Sequence, residues 1–259
     1  MREASLIGVA PFSFFGRWRE RRIQARYPIA DEVWQEALAG CAPARRLEEA
    51  RRARLRKLAT LFLQRKSIQP VRGLELAAAD RALLAAHACL PVLNLGLAWY
   101  ADWSSIVVYP DVFVPHREEM DEAGVVHHAR DVLSGEAWLQ GPVVLSWPDV
   151  LEAGTPPGHN VVIHEMAHKL DMRNGDANGY PPLARGMSTP AWTEAFTAAW
   201  DRLHERHESG LALPIDEYAL EDPGEFFAVA SEVFFEQPAL LQTQLPALFE
   251  QLGLFYGAP

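Results

Sequence analysis

The segment from Asn160 to Asp171 constrains this chain most, because its residues favour a helix that is buried along one side. Asn160 is a good helix cap, and apolar side chains keep the segment in the interior: Val161, Val162, Met166 and Leu170. His164 and His168 are four residues apart, about one helical turn, so both imidazoles emerge on the same face. The segment therefore predicts an interior helix with two histidines side by side.

Two such imidazoles can bind one zinc ion at about 2.0 to 2.1 Å per nitrogen. Glu165 is the next residue after His164 and points toward the open side of the ion, where it can accept a proton from zinc-bound water. The alternative is a buried helix whose histidines only satisfy backbone groups. A di-iron interpretation of Glu165-x-x-His168 requires a second Glu-x-x-His, which the sequence does not contain.

A catalytic zinc needs a third protein ligand and one position left for water. Asp222-Pro223 is typical of a helix start, and the helix that follows is rich in phenylalanine, valine and alanine. Within it, Glu225 and Glu232 are seven residues apart and share nearly the same face. Two carboxylates that face a core require a cation or a hydrogen-bond donor. The spacing does not decide which of the two would reach the metal.

The rest of the sequence predicts helices, then a small sheet, then helices that carry the motif. One amphipathic helix is predicted over Leu47 to Gln64. Strands are predicted at four places: Ile106 to Tyr109, Val112 to Val114, Val125 to Arg130 and Gly141 to Trp147. The predicted fold class is α+β and predominantly helical.

Composition excludes several classes of protein. The chain has 259 residues and a net charge of -10, but residues 1–75 carry 16 basic and 8 acidic side chains, so the remainder is strongly acidic and unsuited to nucleic acid. Two cysteines cannot form a disulfide framework, which favours a reducing compartment. Residues 82–101 contain no formal charge, but Pro91 and Gly96 favour two buried helical pieces rather than a membrane span. The apolar stretch of residues 5–15 precedes a basic cluster, the reverse of a secretory signal, and is interpreted as a loose arm.

Several of these motifs resemble the zinc peptidases of the Mlc titration factor A family, and more distantly the catalytic domain of anthrax lethal factor. The resemblance rests on five stretches and leaves out only about the first thirty residues: 61–66, 89–97, 140–145, 164–176 and 222–235. The longer run His-Glu-Met-Ala-His-Lys-Leu-Asp-Met-Arg-Asn-Gly-Asp is much more specific to this family than the metal motif alone, which many peptidases share.

The resemblance implies a zincin-like core with a small sheet and a helical N-terminal part. It implies an arm over residues 1–30 and one peptidase domain over 31–259, with the metal-binding part at about 104–259. His164, His168 and Glu225 would hold one Zn²⁺ per chain, and Glu165 would be the general base. Tyr218 stands seven residues before Glu225, as does a tyrosine in lethal factor that is thought to bond the developing oxyanion, so Tyr218 is expected to have that role. Alternatively, Tyr218 only packs against its neighbours where a helix begins.

Two further carboxylates are expected to orient the metal-binding imidazoles. Asp171 would orient a ligating imidazole, with a contact to Lys169 or Arg173 as the alternative. Glu232 would do the same, with a surface salt bridge as the alternative. By analogy with zincins, the substrate is expected along an exposed strand edge at Val143 to Ser146, unless this is an ordinary interior strand. The pairs His127-His128 and His204/His207 are assigned no site.

Two functions of different classes follow. One is a cytoplasmic zinc-dependent metallopeptidase, regulatory and aminopeptidase-like, that acts on a peptide or protein substrate. The other is a non-catalytic binding protein that sequesters a transcriptional repressor such as Mlc. The intact set of metal ligands with Glu165 favours the enzyme, because a pure binder has no need of Glu165. The sequence leaves open the natural substrate, exo- or endopeptidase action, self-association and the role of the basic N-terminal third.

Overall fold

Helices make up most of the described chain, as predicted, and one mixed sheet packs beside them. The computed structural model describes residues 14–111, 116–120, 126–130, 135–137 and 141–259. The helices in this part are α1 (Phe14–Arg26), α2 (Asp31–Ala39), α3 (Ala42–Arg46), α4 (Glu49–Arg65), α5 (Ala78–Cys89), α6 (Trp147–Leu151), α7 (Val161–Asp171), α8 (Thr189–Glu208), α9 (Pro223–Glu236), α10 (Pro238–Gln244) and α11 (Pro246–Tyr256). Short 3₁₀ turns occupy Leu97–Tyr100, Met172–Asn174 and Glu217–Leu220. The strands are β1 (Ser67–Pro70), β2 (Ser105–Tyr109), β3 (His116–Met120), β4 (Val126–Arg130), β5 (Gly135–Ala137) and β6 (Val143–Ser146).

The main sheet has the strand order β1-β2-β6-β5. The strands β1, β2 and β6 are parallel, and β5 pairs antiparallel with β6. Ile106 in β2 lies between Ile68 of β1 and Val143 of β6, so apolar residues meet across the three strands. β3 and β4 form a separate antiparallel pair.

The prediction that Val143 to Ser146 forms an exposed strand edge is wrong. β6 lies inside the sheet between β2 and β5, and all four of its residues are buried. Its continuous apolar run is typical of a strand covered on both faces, whereas a half-exposed edge strand would alternate. Among the described strands, β5 forms this edge of the sheet.

The predicted helix over Leu47 to Gln64 is confirmed as α4, shifted by one or two residues at its ends. α4 buries Leu55, Leu61 and Phe62, and its arginines lie at the surface or pair with neighbours. Within the arm expected over residues 1–30, Phe14–Arg26 is the regular helix α1, held against α4 by an Arg65–Glu20 ion pair of 2.8 Å. Ile23 of α1 packs on the core, a contact that local composition does not reveal.

The charge-free run of residues 82–101 forms two buried helical pieces, as predicted. The first is α5, which ends at Cys89 shortly before Pro91, and the second is the 3₁₀ turn at Leu97–Tyr100. Gly96 between them has a φ of +86°, a conformation that glycine adopts without strain. Among the described helices, none has both the length and the apolar character to cross a bilayer.

The strands predicted at Ile106 to Tyr109 and Val125 to Arg130 correspond to β2 and β4. The strand predicted at Val112 to Val114 lies outside the described residues. The strand predicted over Gly141 to Trp147 is shorter, because Pro148 allows α6 to begin at Trp147. β1 was not expected, since its four residues include a proline and carry little apolar pattern.

Candidate metal centre

α7 presents His164 and His168 on one face because Asn160 fixes where the helix begins. The Asn160 side-chain oxygen accepts a hydrogen bond from the Ile163 backbone N–H at 3.1 Å. Val162, Ile163, Met166 and Leu170 are fully buried and anchor the opposite faces of the helix. The two imidazoles then lie at the less covered side, with ring centroids 4.8 Å apart.

α9 carries Glu225, the third candidate ligand. The helix is buried on nearly every side. Asp222 caps its start by accepting hydrogen bonds from Gly224 and Glu225 backbone N–H groups at 2.7 and 2.9 Å, and Pro223 occupies the first turn. A helix that is apolar all round must be covered by other elements. α9 packs directly against α7, so its first turn lies beside the histidine pair.

Three ligand atoms converge at this contact between α7 and α9. The Nε2 atoms of His164 and His168 are 3.1 Å apart, and Glu225 Oε2 lies 3.0 Å from the first and 3.3 Å from the second. Among the described residues, only this group of three or more histidine, cysteine, aspartate or glutamate side chains has the spacing to hold a metal ion. The structure thus brings together His164, His168 and Glu225, whereas Glu232 contacts His164 through Nδ1 instead.

The charges at this contact are strongly coupled when no metal is bound. Burial alone would raise the pKa of Glu225, but its contacts with His164 and His168 outweigh burial and hold the pKa well below its usual range. Burial alone would lower the pKa of His164, but its contacts with Glu225 and Glu232 raise it well above the usual value. Glu225 is therefore a carboxylate throughout the physiological pH range, the form that binds a cation.

Glu232 lies behind His164, on the side away from Glu225. Its Oε1 is 2.7 Å from His164 Nδ1, and its side chain is only 3% exposed. Its other oxygen accepts the Asn160 backbone N–H and lies 3.4 Å from His159 Nδ1. Glu232 Oε1 is therefore placed to accept a hydrogen bond from a protonated Nδ1 of His164.

A buried polar network, not predicted from the sequence, continues from Glu232 away from His164. The Asn160 amide nitrogen is 2.7 Å from Glu236 Oε1 and 2.9 Å from His87 Nδ1. Burial lowers the pKa of His87 to about 4, so its imidazole is neutral. The spacing of Glu232 and Glu236, four residues apart on an apolar helix, is a sequence signal that could have revealed this network.

Asp171 is fully buried at the end of α7. Its Oδ2 accepts backbone N–H groups of Asn178 and Gly179 at 2.8 and 2.7 Å, so it ties the following loop to α7. Its Oδ1 and His168 Nδ1 are both buried, and neither has a hydrogen-bond partner among the described residues. Burial raises the pKa of Asp171 to about 6, against the opposing effects of its backbone hydrogen bonds and of His168.

Glu165 and Tyr218 lie near the three converging ligand atoms. Glu165 is 2% exposed on α7, and its charge contributes to the raised pKa values of His164 and Tyr218, so the three groups are neighbours. The Tyr218 ring is 40% exposed, and its centroid is 6.1 Å from that of His164. Burial of part of the ring and the nearby Glu225 raise the Tyr218 pKa well above its usual value, so the hydroxyl stays protonated at neutral pH.

Comparison with known proteins identifies the family of this chain. The family described as glucose-regulated metallo-peptidase M90 matches residues 15–257. The chain belongs to this family. The resemblance to the Mlc titration factor A family is therefore confirmed, and so is the α+β, mainly helical fold class.

Proteins named Mlc titration factor A are similar over most of the chain. The protein of Escherichia fergusonii is 41% identical over 226 residues, which cover 86% of this chain and 85% of that protein. The protein of Cronobacter sakazakii is 38% identical over 242 residues, covering 93% and 90%. The protein of Klebsiella pneumoniae is 40% identical over 229 residues, covering 88% and 86%.

Proposed function

We propose that this member of the metallo-peptidase family is an active zinc-dependent peptidase. The observation that carries the proposal is the convergence of His164 Nε2, His168 Nε2 and Glu225 Oε2 at 3.0 to 3.3 Å from one another. All three are atoms that zinc accepts as ligands, and their close approach requires a cation or a proton between them.

The donor set fits Zn²⁺. Corners of a tetrahedron around an ion with bonds of about 2.0 to 2.1 Å lie about 3.3 Å apart, close to the three separations observed. Glu225 Oε2 is buried, so water is largely excluded from this contact. Three protein ligands with one open position are typical of catalytic zinc, whereas structural zinc has four.

Zinc at this position would polarise the scissile carbonyl and lower the pKa of the attacking water. Glu165, buried beside His164, would accept the proton of that water and deliver it to the leaving amine. Glu232 would hold His164 in the tautomer that leaves Nε2 free to bind the metal. Asp171, close to His168, is proposed to support the second imidazole from behind.

Tyr218 is proposed to stabilise the oxyanion that develops on the scissile carbonyl. Its raised pKa keeps the hydroxyl a hydrogen-bond donor, and its exposed position lets it meet a substrate from the solvent side. A group that binds charge in the transition state and not in the ground state accelerates the reaction without affecting metal binding.

The experiment that tests the proposal is Glu165→Gln in zinc-loaded protein. We expect the variant to keep its zinc and lose measurable cleavage of a peptide library, because the amide cannot accept the water proton. Glu221→Gln is the matched control, since Glu221 is an exposed glutamate that also influences the Tyr218 pKa and has no assigned role. Cleavage by Glu165→Gln at the parental rate would remove Glu165 as the general base.

We further propose that the peptidase is regulatory and aminopeptidase-like, on the basis of the family resemblance. It is tested by offering each library peptide with a free and with an acetylated N-terminus. An aminopeptidase cleaves only the free form, whereas equal cleavage of both forms would assign endopeptidase action.

A second candidate function is binding of a transcriptional repressor such as Mlc, and the name of the related proteins, Mlc titration factor A, favours it. We propose that such binding does not require the hydrolytic step. Glu165→Gln would then bind purified Mlc with parental affinity while failing to cleave peptides. Loss of both properties together would mean that one surface serves both.

A further inference from the structure

A cavity of about 230 Å³ lies between α8, the first turn of α9 and the loop of residues 178–180. Five aromatic side chains line it: Tyr180, Trp192, Phe196, Trp200 and Phe226. Apolar cavities with a few polar groups at the margin are typical of sites that bind an apolar group. None of these five residues takes part in the proposed hydrolysis.

The aromatic lining is built by helical spacing. Trp192, Phe196 and Trp200 follow one another at intervals of four residues and so share one face of α8. Phe226 of α9 packs edge-on against Phe196 and Trp200, with ring centroids 5.6 Å apart in both pairs. Trp192 is fully buried and stacks on Phe196 at 4.2 Å. These ring contacts hold the wall of the cavity in place without a ligand.

The mouth of the cavity is polar and open to solvent. Thr193, Thr197 and Asn178 line it and are exposed. The Tyr180 hydroxyl, by contrast, is buried and has no hydrogen-bond partner among the described residues. A rigid apolar wall with a polar rim accepts one large apolar side chain better than it accepts a charged group.

The cavity adjoins the first turn of α9, which also carries Glu225. Pro223 and Phe226 stand two positions before and one position after Glu225, which corresponds to about 3.0 and 1.5 Å along the helix axis. A Cβ atom on Gly179 would lie 2.4 Å from the Pro223 carbonyl oxygen, so the loop is seated directly on the turn that carries Glu225. The same loop is tied to the end of α7 by Asp171.

An extended peptide advances about 3.3 Å per residue, so a residue close to the scissile bond can reach side chains beside the turn that carries Glu225. We infer that the aromatic cavity binds a large apolar side chain, such as phenylalanine or leucine, of the peptide substrate and thereby determines specificity. This inference rests on the proposed peptidase function and names its substrate class.

The test uses alanine pentapeptides in which phenylalanine replaces one residue at a time. The zinc-loaded parent is expected to cleave one member at least about tenfold more efficiently than the all-alanine peptide, measured as kcat/KM. Thr197→Trp fills the mouth from an exposed position and should reduce this ratio to about one. Ala198→Trp, one exposed position further along α8 and outside the cavity, should leave the ratio as in the parent.

A parallel measurement separates this inference from the proposed function. Zinc-loaded Glu165→Gln is titrated calorimetrically with the same peptides, with and without Thr197→Trp. A phenylalanine preference in binding that depends on Thr197 supports the cavity even if the parent cleaves nothing. Cleavage or binding that shows no phenylalanine preference, or a preference that survives Thr197→Trp, overturns the assignment while leaving the peptidase proposal intact.

Discussion

Glu232→Gln isolates the contribution of the carboxylate behind His164. The two Glu232 oxygens have different partners, since one lies 2.7 Å from His164 Nδ1 and the other accepts the Asn160 backbone N–H. Glutamine has only one oxygen to offer. If that oxygen faces His164, the amide NH₂ faces the Asn160 backbone N–H, and two donors oppose each other. If the amide is reversed, its NH₂ faces His164 Nδ1 and favours the tautomer in which Nε2 is protonated.

The expected magnitude follows from this loss. A hydrogen bond to a charged group contributes about 1.5 to 3 kcal/mol, and Glu232 is almost completely buried, so water cannot replace it. Zinc binding requires the tautomer that this bond stabilises. We therefore expect Glu232→Gln to weaken zinc binding by about 10- to 100-fold, while the size and shape of the side chain are retained.

The assay is zinc competition between metal-free protein and a chromophoric chelator at neutral pH. Glu221→Gln removes the same charge from an exposed position and is expected to change the zinc dissociation constant by less than about twofold. Chemical denaturation of both metal-free variants verifies that they are folded. A Glu232→Gln constant equal to that of Glu221→Gln would refute the argument that this carboxylate orients His164.

Three further outcomes are expected. Tyr218→Phe should lower kcat by about tenfold to a thousandfold with unchanged zinc content, and an unchanged rate would remove Tyr218 from the mechanism. Gly179→Ala should lower the free energy of unfolding by about 1 to 3 kcal/mol in urea denaturation, because the added Cβ meets the Pro223 carbonyl and the backbone φ is +74°; parental stability would show that this contact relaxes freely. The pKa of Asp171 is about 6 in the folded parent and near 3.8 in the unfolded chain. The free energy of unfolding of the metal-free parent should therefore fall by about 3 kcal/mol as the pH rises across this window. Asp171→Asn should remove this pH dependence. Equal pH slopes of unfolding for Asp171→Asn and the parent would contradict the raised pKa.

Local patterns predicted the two helices that form the site. Asn160 and Asp222 act as caps where the sequence suggested, and the spacing of His164 and His168 fixes their shared face regardless of the rest of the fold. Helical spacing could not separate Glu225 from Glu232, because both lie on one face of α9. Only the packing of α9 against α7 sets one carboxylate before His164 and the other behind it.

The features that sequence reasoning missed depend on contacts between distant residues. β6 is interior because β2 and β5 pair with it from both sides, which its own four residues do not reveal. The contact between Asn160 and His87 joins residues 73 positions apart. The aromatic cavity is likewise formed by α8, α9 and a loop that meet only in the folded chain.

The central claim is that His164, His168 and Glu225 hold one zinc ion. Its most direct test is a crystal structure of the zinc-loaded protein with anomalous diffraction measured on both sides of the zinc absorption edge. The account predicts one zinc peak per chain, about 2.0 to 2.2 Å from both Nε2 atoms and from a Glu225 carboxylate oxygen. A zinc peak elsewhere, or one at the histidines with Glu225 turned away, would contradict it.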